Sequence, residues 1–307
     1  MLKDKRILLT GPAGNIGYPL AGNLAKDNEV WGISRFGDPA ERKKVDDLGV
    51  ITRPIDLGSG DFGDLPDNFD YVLHLGAYIG GNDYDRAVQV NGEGTALLMT
   101  HCRKAKAILV MSTTGVYRPN PDPWHAFLET DPLGDNTIPG TPFYAISKTV
   151  EEGVTRACAR QMNIPTIIVR MNAAYGVTGG GGLPGHYFES IRAGRQVTLR
   201  WDPCPYSVIN DQDIFEQTEA LINAAAVPAP IVNWGGDEPV TAQQMCQLFG
   251  EILGVKPDVA VKEVPGTQRG VIVDKTRRLA ITGPAKVNWR DGMKALAEAH
   301  LQRKTAA

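Results

Sequence analysis

The stretch Ile7-Leu-Leu-Thr-Gly11-Pro-Ala-Gly14-Asn15-Ile16-Gly17 decides the fold. Ile7 to Thr10 reads as a short apolar strand. Ile16 to Lys26 reads as a helix, with Leu20 and Leu24 four apart. Between them the glycines are spaced Gly-x-x-Gly-x-x-Gly. A strand-to-helix turn of this kind presents backbone N–H groups and the positive end of a helix to a pyrophosphate, and side chains at the glycine positions would block that approach. The spacing differs from the Gly-x-Gly-x-x-Gly fingerprint, and a glycine turn that merely packs helix on strand has the same composition. Position separates the two readings: first strand, first turn, first helix, then a second strand from Glu29 to Ser34. The expectation is a dinucleotide site at Gly11, Gly14, Asn15, Ile16 and Gly17.

Outward from this turn, strand-like and helix-like segments alternate. Apolar strands are expected at 50–55, 71–75, 107–112 and 166–170, and helices at 39–48, 84–104 and 142–161. Near-continuous apolar strands between helices indicate a parallel sheet covered on both faces, with right-handed crossovers. The fold class is therefore α/β, a Rossmann-type doubly wound parallel sheet. Beyond residue 170 the pattern loosens. A glycine run covers 179–182, helices are expected near 187–193, 212–226, 241–253 and 290–301, and strands near 231–233 and 259–264. The expected division is a dinucleotide-binding domain over 1–170, joined by the strand near 231–233, and a smaller C-terminal substrate-binding lobe over 171–307.

The 307 residues suffice to bury a core without disulfide or metal staples. Lys plus Arg is 32 and Asp plus Glu is 35, a net charge of −3. No basic excess suggests nucleic acid or an anionic membrane surface as partner. No run approaches the ~20 apolar residues of a membrane span, and the apolar stretch that Gly11 stops is too short for a signal-peptide core. Cys102, Cys158, Cys204 and Cys246 lie far apart without Cys-x-x-Cys spacing, so neither structural zinc nor a disulfide framework is expected and a cytoplasmic location is the default. The histidines are scattered, and no metal site is expected.

The end of the second strand selects the cofactor. A carboxylate there would favour NAD(H) by accepting both ribose hydroxyls. Here Ser34 is followed by Arg35, a hydroxyl and a fork of donors suited to a 2′-phosphate, against the alternative of a solvated loop arginine. NADP(H) is expected to be preferred, with NAD(H) as the alternative. Asp56-Leu57, after the third strand, is placed near the adenine.

Tyr144-Ala-Ile-Ser-Lys148 puts a phenol and an ammonium on one helical face. A neighbouring cation favours phenolate. Bringing a phenol from about 10 to about 7 requires ~4 kcal/mol, which Lys148 and an oxidised nicotinamide would share. Such a tyrosine exchanges a proton while hydride moves to or from the cofactor. Thr113 ends the fifth strand, at the edge where open α/β sheets bind ligands, and its hydroxyl is expected to hold the substrate oxygen beside Tyr144.

Together these features resemble the extended short-chain dehydrogenase/reductase family, the NAD-dependent epimerase/dehydratases. The likeness also includes His74-Leu-Gly-Ala77, Asn91-Gly-Glu-Gly-Thr95, Ser112-Thr-Thr-Gly-Val-Tyr117 and Arg170 with Tyr175-Gly176. The resemblance implies that Thr113, Tyr144 and Lys148 are catalytic, and that Lys148 also holds the nicotinamide ribose. It implies cofactor contacts at Leu75, Gly76 and Ala77, a structural Asn91, and substrate contacts at Thr113, Thr114, Tyr144, Asn172 and Ala173. It further implies a homodimer through the helices over 84–104 and 142–161. Departures bear on the substrate. Sugar-nucleotide members usually carry Asn where Ala173 stands and Pro where Val177 stands. Their phosphate-holding arginine is replaced by Tyr206. The Asp-Glu of 4,6-dehydratases is replaced by Thr114 and Gly115.

The leading expectation is an NADP-preferring oxidoreductase that interconverts a carbonyl and a secondary alcohol. A sugar or sugar-nucleotide epimerase using transient oxidation is the alternative, and a non-catalytic dinucleotide sensor is a third. The intact Tyr144 and Lys148 argue against the last.

Overall fold

The computed structural model describes residues 2–178 and 180–305, so Gly179 of the glycine run lies outside the described residues. Seven of the described strands form one sheet: β1 (Arg6–Thr10), β2 (Glu29–Ser34), β3 (Ile51–Pro54), β4 (Tyr71–His74), β5 (Ala107–Thr113), β6 (Thr166–Met171) and β7 (Ile231–Trp234). Their order is β7-β6-β5-β4-β1-β2-β3, and every neighbouring pair is parallel. The chain winds outward from β1 to β3, then crosses back to β4 on the other side of β1. That reversal opens a crevice at the carboxyl ends of β1 and β4.

Side chains alternate across each strand, so the inner strands feed two cores. Ile7, Leu9, Leu73, Leu109, Ile167 and Val169 pack on one face with Leu20 and Leu24 of α1 (Gly17–Leu24) and Leu221 of α7 (Asp211–Asn223). Leu8, Val72, Ile108, Val110 and Ile168 pack on the other with Leu98 of α4 (Gly94–His101) and Ala159 of α5 (Tyr144–Met162). Between them in sequence come α2 (Pro39–Asp46) and α3 (Tyr84–Val88). A third core, with Phe188, Trp201, Tyr206, Met245, Phe249 and Leu296, sits among α6 (Gly182–Arg192), α8 (Ala242–Leu253) and α10 (Trp289–Thr305), with α9 (Thr276–Thr282) preceding α10.

Two local expectations change, and one long segment is pinned. The helix expected over 84–104 is interrupted by a π turn, Gln89–Glu93, and ends at His101. The wider turn seats the fully buried Asn91 against the loop after β4: its amide accepts from Tyr78 N at 2.7 Å and donates to Tyr78 O and Ser147 Oγ, both at 2.9 Å. The late strand is confined to Val259–Val261, which pairs with Val197–Leu199 outside the main sheet. The proline-rich segment before Tyr144 is pinned: Ala126–Phe127 pairs with Ile272–Val273, and Tyr117 OH donates to Asn233 Oδ1 at 2.6 Å.

One buried charge holds the sheet's centre to α5. Arg170 is 2% exposed, and its Nε and Nη2 donate to Glu152 Oε1 and Oε2 at 2.9 and 2.7 Å. Ser112, opposite Arg170 in the β5–β6 register, donates to Glu152 Oε1 at 2.6 Å. Arg170→Met strands the Glu152 carboxylate, and the expected cost in denaturant unfolding is about 3–5 kcal/mol. Arg170→Met combined with Glu152→Leu should recover a large part of it; a double variant as unstable as the single one would contradict this account.

Candidate active site

The crevice between β1 and β4 is built by backbone close to backbone. Gly11 has φ +69° and its N–H donates to Ile33 O at 2.9 Å. A Cβ at Gly17 would lie 2.1 Å from Gly11 O, and one at Gly11 would lie 3.0 Å from Gly76 Cα. No side chain caps the start of α1. Tyr18 N donates back to Gly14 O at 2.9 Å and residue 19 is a proline, so Gly17 N–H and the positive end of the helix are what the first turn presents, a cradle that fits a pyrophosphate.

A cleft of about 320 Å³ opens here. Gly11, Gly14, Ser34, Arg35, Asp56, Leu57, Leu75, Gly76 and Ala77 all line it. So do Glu41, Tyr78, Ile79 and Val90, which reading along the chain missed. Asp56 accepts from Gly58 N at 3.0 Å and is ion-paired with Arg86. Burial raises its carboxyl, but the Arg86 hydrogen bond, the Gly58 N–H and the charges of Arg86 and Arg35 outweigh that and hold it below its ordinary value. Asn15 and Ile16 turn elsewhere. Asn15 Oδ1 accepts from Gly180 N at 3.0 Å, and Ile16 packs against the core. What these two positions can offer a phosphate is main-chain N–H.

Tyr144 is the first residue of α5, Lys148 stands one turn on, and Thr113 ends β5. The Thr113 hydroxyl stands near enough to the Tyr144 phenol to favour its ionised form, and it accepts from Gly115 N at 3.1 Å. The three predicted residues are therefore brought together. The expected electrostatics need correction. Burial raises the Tyr144 phenol, Lys148 lowers it, Glu151 raises it and Thr113 lowers it, and the balance lies above the ordinary tyrosine value. The main reason is burial of the phenol, and a further one is a partner that the spacing of Tyr144 and Lys148 alone does not show. Lys148, 1% exposed, is ion-paired with the fully buried Glu151, so its charge is already matched. The signal was present, since Lys148 and Glu151 are three apart on one helix face.

The neighbouring loop residues are engaged within the protein. Thr114 Oγ1 donates to Met171 O at 3.3 Å. Asn172 Nδ2 donates to Val271 O at 2.6 Å, while its Oδ1 accepts from Ala173 N at 2.8 Å. Ala173 packs against the lobe core. Tyr206 is 7% exposed inside that core, within reach of Cys204 Sγ at 3.4 Å. Among the described residues no group of three or more His, Cys, Asp or Glu is arranged to hold a metal ion, and no helix is long and apolar enough to cross a membrane.

Comparison with known proteins agrees with this architecture. The profile of the NAD dependent epimerase/dehydratase family matches residues 7–202. A UDP-N-acetyl-alpha-D-glucosaminuronate decarboxylase of Bacillus cytotoxicus is 30% identical over 185 residues, 56% of this chain and 55% of that protein, so the chain matches about half the relative's length. The UDP-glucuronic acid 4-epimerase of Bacillus cereus, solved with UDP-glucuronic acid and NAD, superposes with a TM-score of 0.84 at 23% identity, covering 97% of this chain and 99% of that one. The UDP-glucose 4-epimerase of Thermotoga maritima, solved with UDP-glucose, superposes at 0.81 and 20% identity, covering 98% and 100%. At these identities the superpositions show the fold.

Gly17→Ala forces a methyl group onto Gly11 O. Its affinity for nicotinamide dinucleotides, followed by tryptophan fluorescence, is expected to drop at least about tenfold in a folded protein, since one lost factor of ten is ~1.4 kcal/mol. Unchanged affinity would mean that this turn holds no pyrophosphate.

Proposed function

Because the chain belongs to the NAD dependent epimerase/dehydratase family, we propose that it is an epimerase-type enzyme that transiently oxidises a secondary alcohol of a sugar on a retained nicotinamide dinucleotide. The observation that carries this reading is the meeting of Tyr144, Thr113 and Lys148 at the carboxyl end of β5, coupled to the glycine cleft through Asn91, which joins Tyr78 of the cleft wall to Ser147. The relatives named above act on UDP-sugars, which supports this reading over the net oxidoreductase placed first from sequence.

When bound, the nicotinamide supplies a hydride acceptor and donor. Tyr144 takes the hydroxyl proton as the carbonyl forms and gives it back as the alcohol is restored. Thr113 orients the reacting oxygen. Lys148 holds the nicotinamide ribose as well as neighbouring the phenol. The glycine turn carries the pyrophosphate, and Asp56 and Leu57 border the adenine.

A second reading, net carbonyl–alcohol interconversion with NADP(H), draws support from two residues. Ser34 and Arg35 offer donors to a 2′-phosphate at the end of β2, although Glu41 lines the same cleft. Tyr206 lies in the lobe core where the resemblance places a phosphate-holding arginine, which favours a substrate without a nucleotide. We further propose a homodimer through α3, α4 and α5, where Leu97 and Ile146 are exposed, and a reducing cytoplasmic setting for the four free cysteines.

Tyr144→Phe is expected to bind cofactor within about twofold of the wild type and to lose turnover by about 10²–10⁴, assayed on a panel of UDP-sugars, free sugars and simple ketones. Full turnover would overturn the catalytic assignment. In the same assay, product without net change in reduced-nicotinamide absorbance identifies the epimerase, and a stoichiometric change identifies the net oxidoreductase. Arg35→Glu should weaken NADPH at least about tenfold more than NADH; equal losses would show that Arg35 reads no phosphate.

A further inference from the structure

Behind the Tyr144–Lys148 pair lies a layer of buried polar groups that hydride transfer does not use. Glu151 is fully buried and His74 is 1% exposed, and His74 Nε2 lies 3.6 Å from Glu151 Oε1. The hydrogen-bond inventory fixes the protonation of His74. Thr10 Oγ1 accepts from Leu75 N at 3.0 Å and from Gly76 N at 2.7 Å, which fills both its lone pairs. Its proton must then go to His74 Nδ1, 2.8 Å away. His74 therefore carries its own proton on Nε2, pointed at Thr95 Oγ1 at 2.8 Å, and Thr95 passes its proton to Asn91 O at 2.6 Å. The imidazole is locked neutral. Burial and the charge of Lys148 push it down to about 3, in agreement with that count.

Every group that faces Glu151 can now be assigned a charge. On α5 these are Lys148, a cation, Tyr144, a neutral phenol, and Glu152, whose carboxylate is taken by Arg170. From β4 comes neutral His74. From the π turn and α4 come Asn91 and Thr95, both uncharged. Lys148 is thus the cation left to balance Glu151. Burial pushes the Glu151 carboxyl up to about 7 against the pull of Lys148, so above neutral pH it is ionised and cancels the lysine.

We propose that Glu151 is a positioning residue that acts on Tyr144 through Lys148, cancelling the lysine's charge so that the phenolate forms at higher pH than beside an unmatched ammonium. This rests on the reading of Tyr144 as the acid–base group. A buried carboxylate directly under the lysine makes the phenol a weaker acid at rest. A bare ammonium would make it a stronger acid.

The test needs no substrate. Tyrosinate absorbance of the cofactor-free protein is titrated with pH, and subtraction of Tyr144→Phe removes the other eight of the nine tyrosines. The same subtraction is made in Glu151→Gln, which keeps shape and removes charge. The Tyr144 midpoint is expected to fall by about one pH unit or more in Glu151→Gln, because an unmatched neighbouring cation typically lowers an acid by about 1–3 units. If Glu151→Gln does not fold, Glu151→Asp, whose carboxylate is withdrawn by one methylene, should show a smaller fall. A folded variant whose Tyr144 step does not lie below that of the wild type, or is absent before alkaline unfolding, overturns the proposal and leaves the catalytic reading intact. Full turnover by Tyr144→Phe overturns both.

Discussion

The structure depends on a contact that only glycine permits. Gly17 lies so close to Gly11 O that a methyl group has no room, and Gly11 in turn meets Gly76 at the point where the sheet reverses its winding. This approach brings the end of β1, the start of α1 and the loop after β4 into one cleft. It also turns the positive end of α1, with Gly17 N–H, toward the space an anion would fill. Thr10 reinforces the junction from below by accepting two N–H groups of the β4 loop. The glycine turn and the packing of α1 on the sheet are thus one arrangement. A side chain that disturbed the first would disturb the second.

Two buried ion pairs sit side by side on α5 and do different work. Glu152 meets Arg170 through two hydrogen bonds and takes a third from Ser112, so both charges are well satisfied and the pair ties α5 to β5 and β6. Glu151 has one cation against it, the single ammonium of Lys148, with the Thr95 hydroxyl and an imidazole that the network keeps neutral beside it. Burying a charge is costly when its partners are few. The first pair is compensated by geometry. The second holds charge in tension next to the phenol, where tension is of chemical use.

Much of this was legible along the chain. The strands were visible because both faces of a parallel sheet are buried, which makes β5 and β6 nearly unbroken apolar runs. The grouping of Thr113, Tyr144 and Lys148 was visible because helix periodicity and strand ends obey local rules. Legibility failed where side chains met partners distant in sequence. Asn15 faces Gly180 across 165 positions, Asn172 bonds to Val271, and Glu41 reaches the cleft from α2. It also failed for the charge on Lys148. Spacing shows that Glu151 shares its face, but only burial shows that no water screens the pair.

The lobe beyond β6 is tied to the sheet by the loops that border the catalytic residues. Gln268 Nε2 donates to Thr114 O at 2.9 Å and Tyr117 O at 3.1 Å, and Asn172 holds Val271 O. The segment over 264–273 thereby fixes the loops after β5 and β6 relative to Thr113. Polar groups spent on this stitching are unavailable to a ligand, and Tyr206 is spent on the lobe core. The proline-rich segment that leads from Tyr117 to Tyr144 runs beside this frame, because Gln268 holds Tyr117 O. That segment is itself anchored, through Ala126–Phe127 on Ile272–Val273. Supports of this kind fix the loop that carries Thr113 against the helix that carries Tyr144 before any ligand arrives, which is the preorganisation that the proposed chemistry would need.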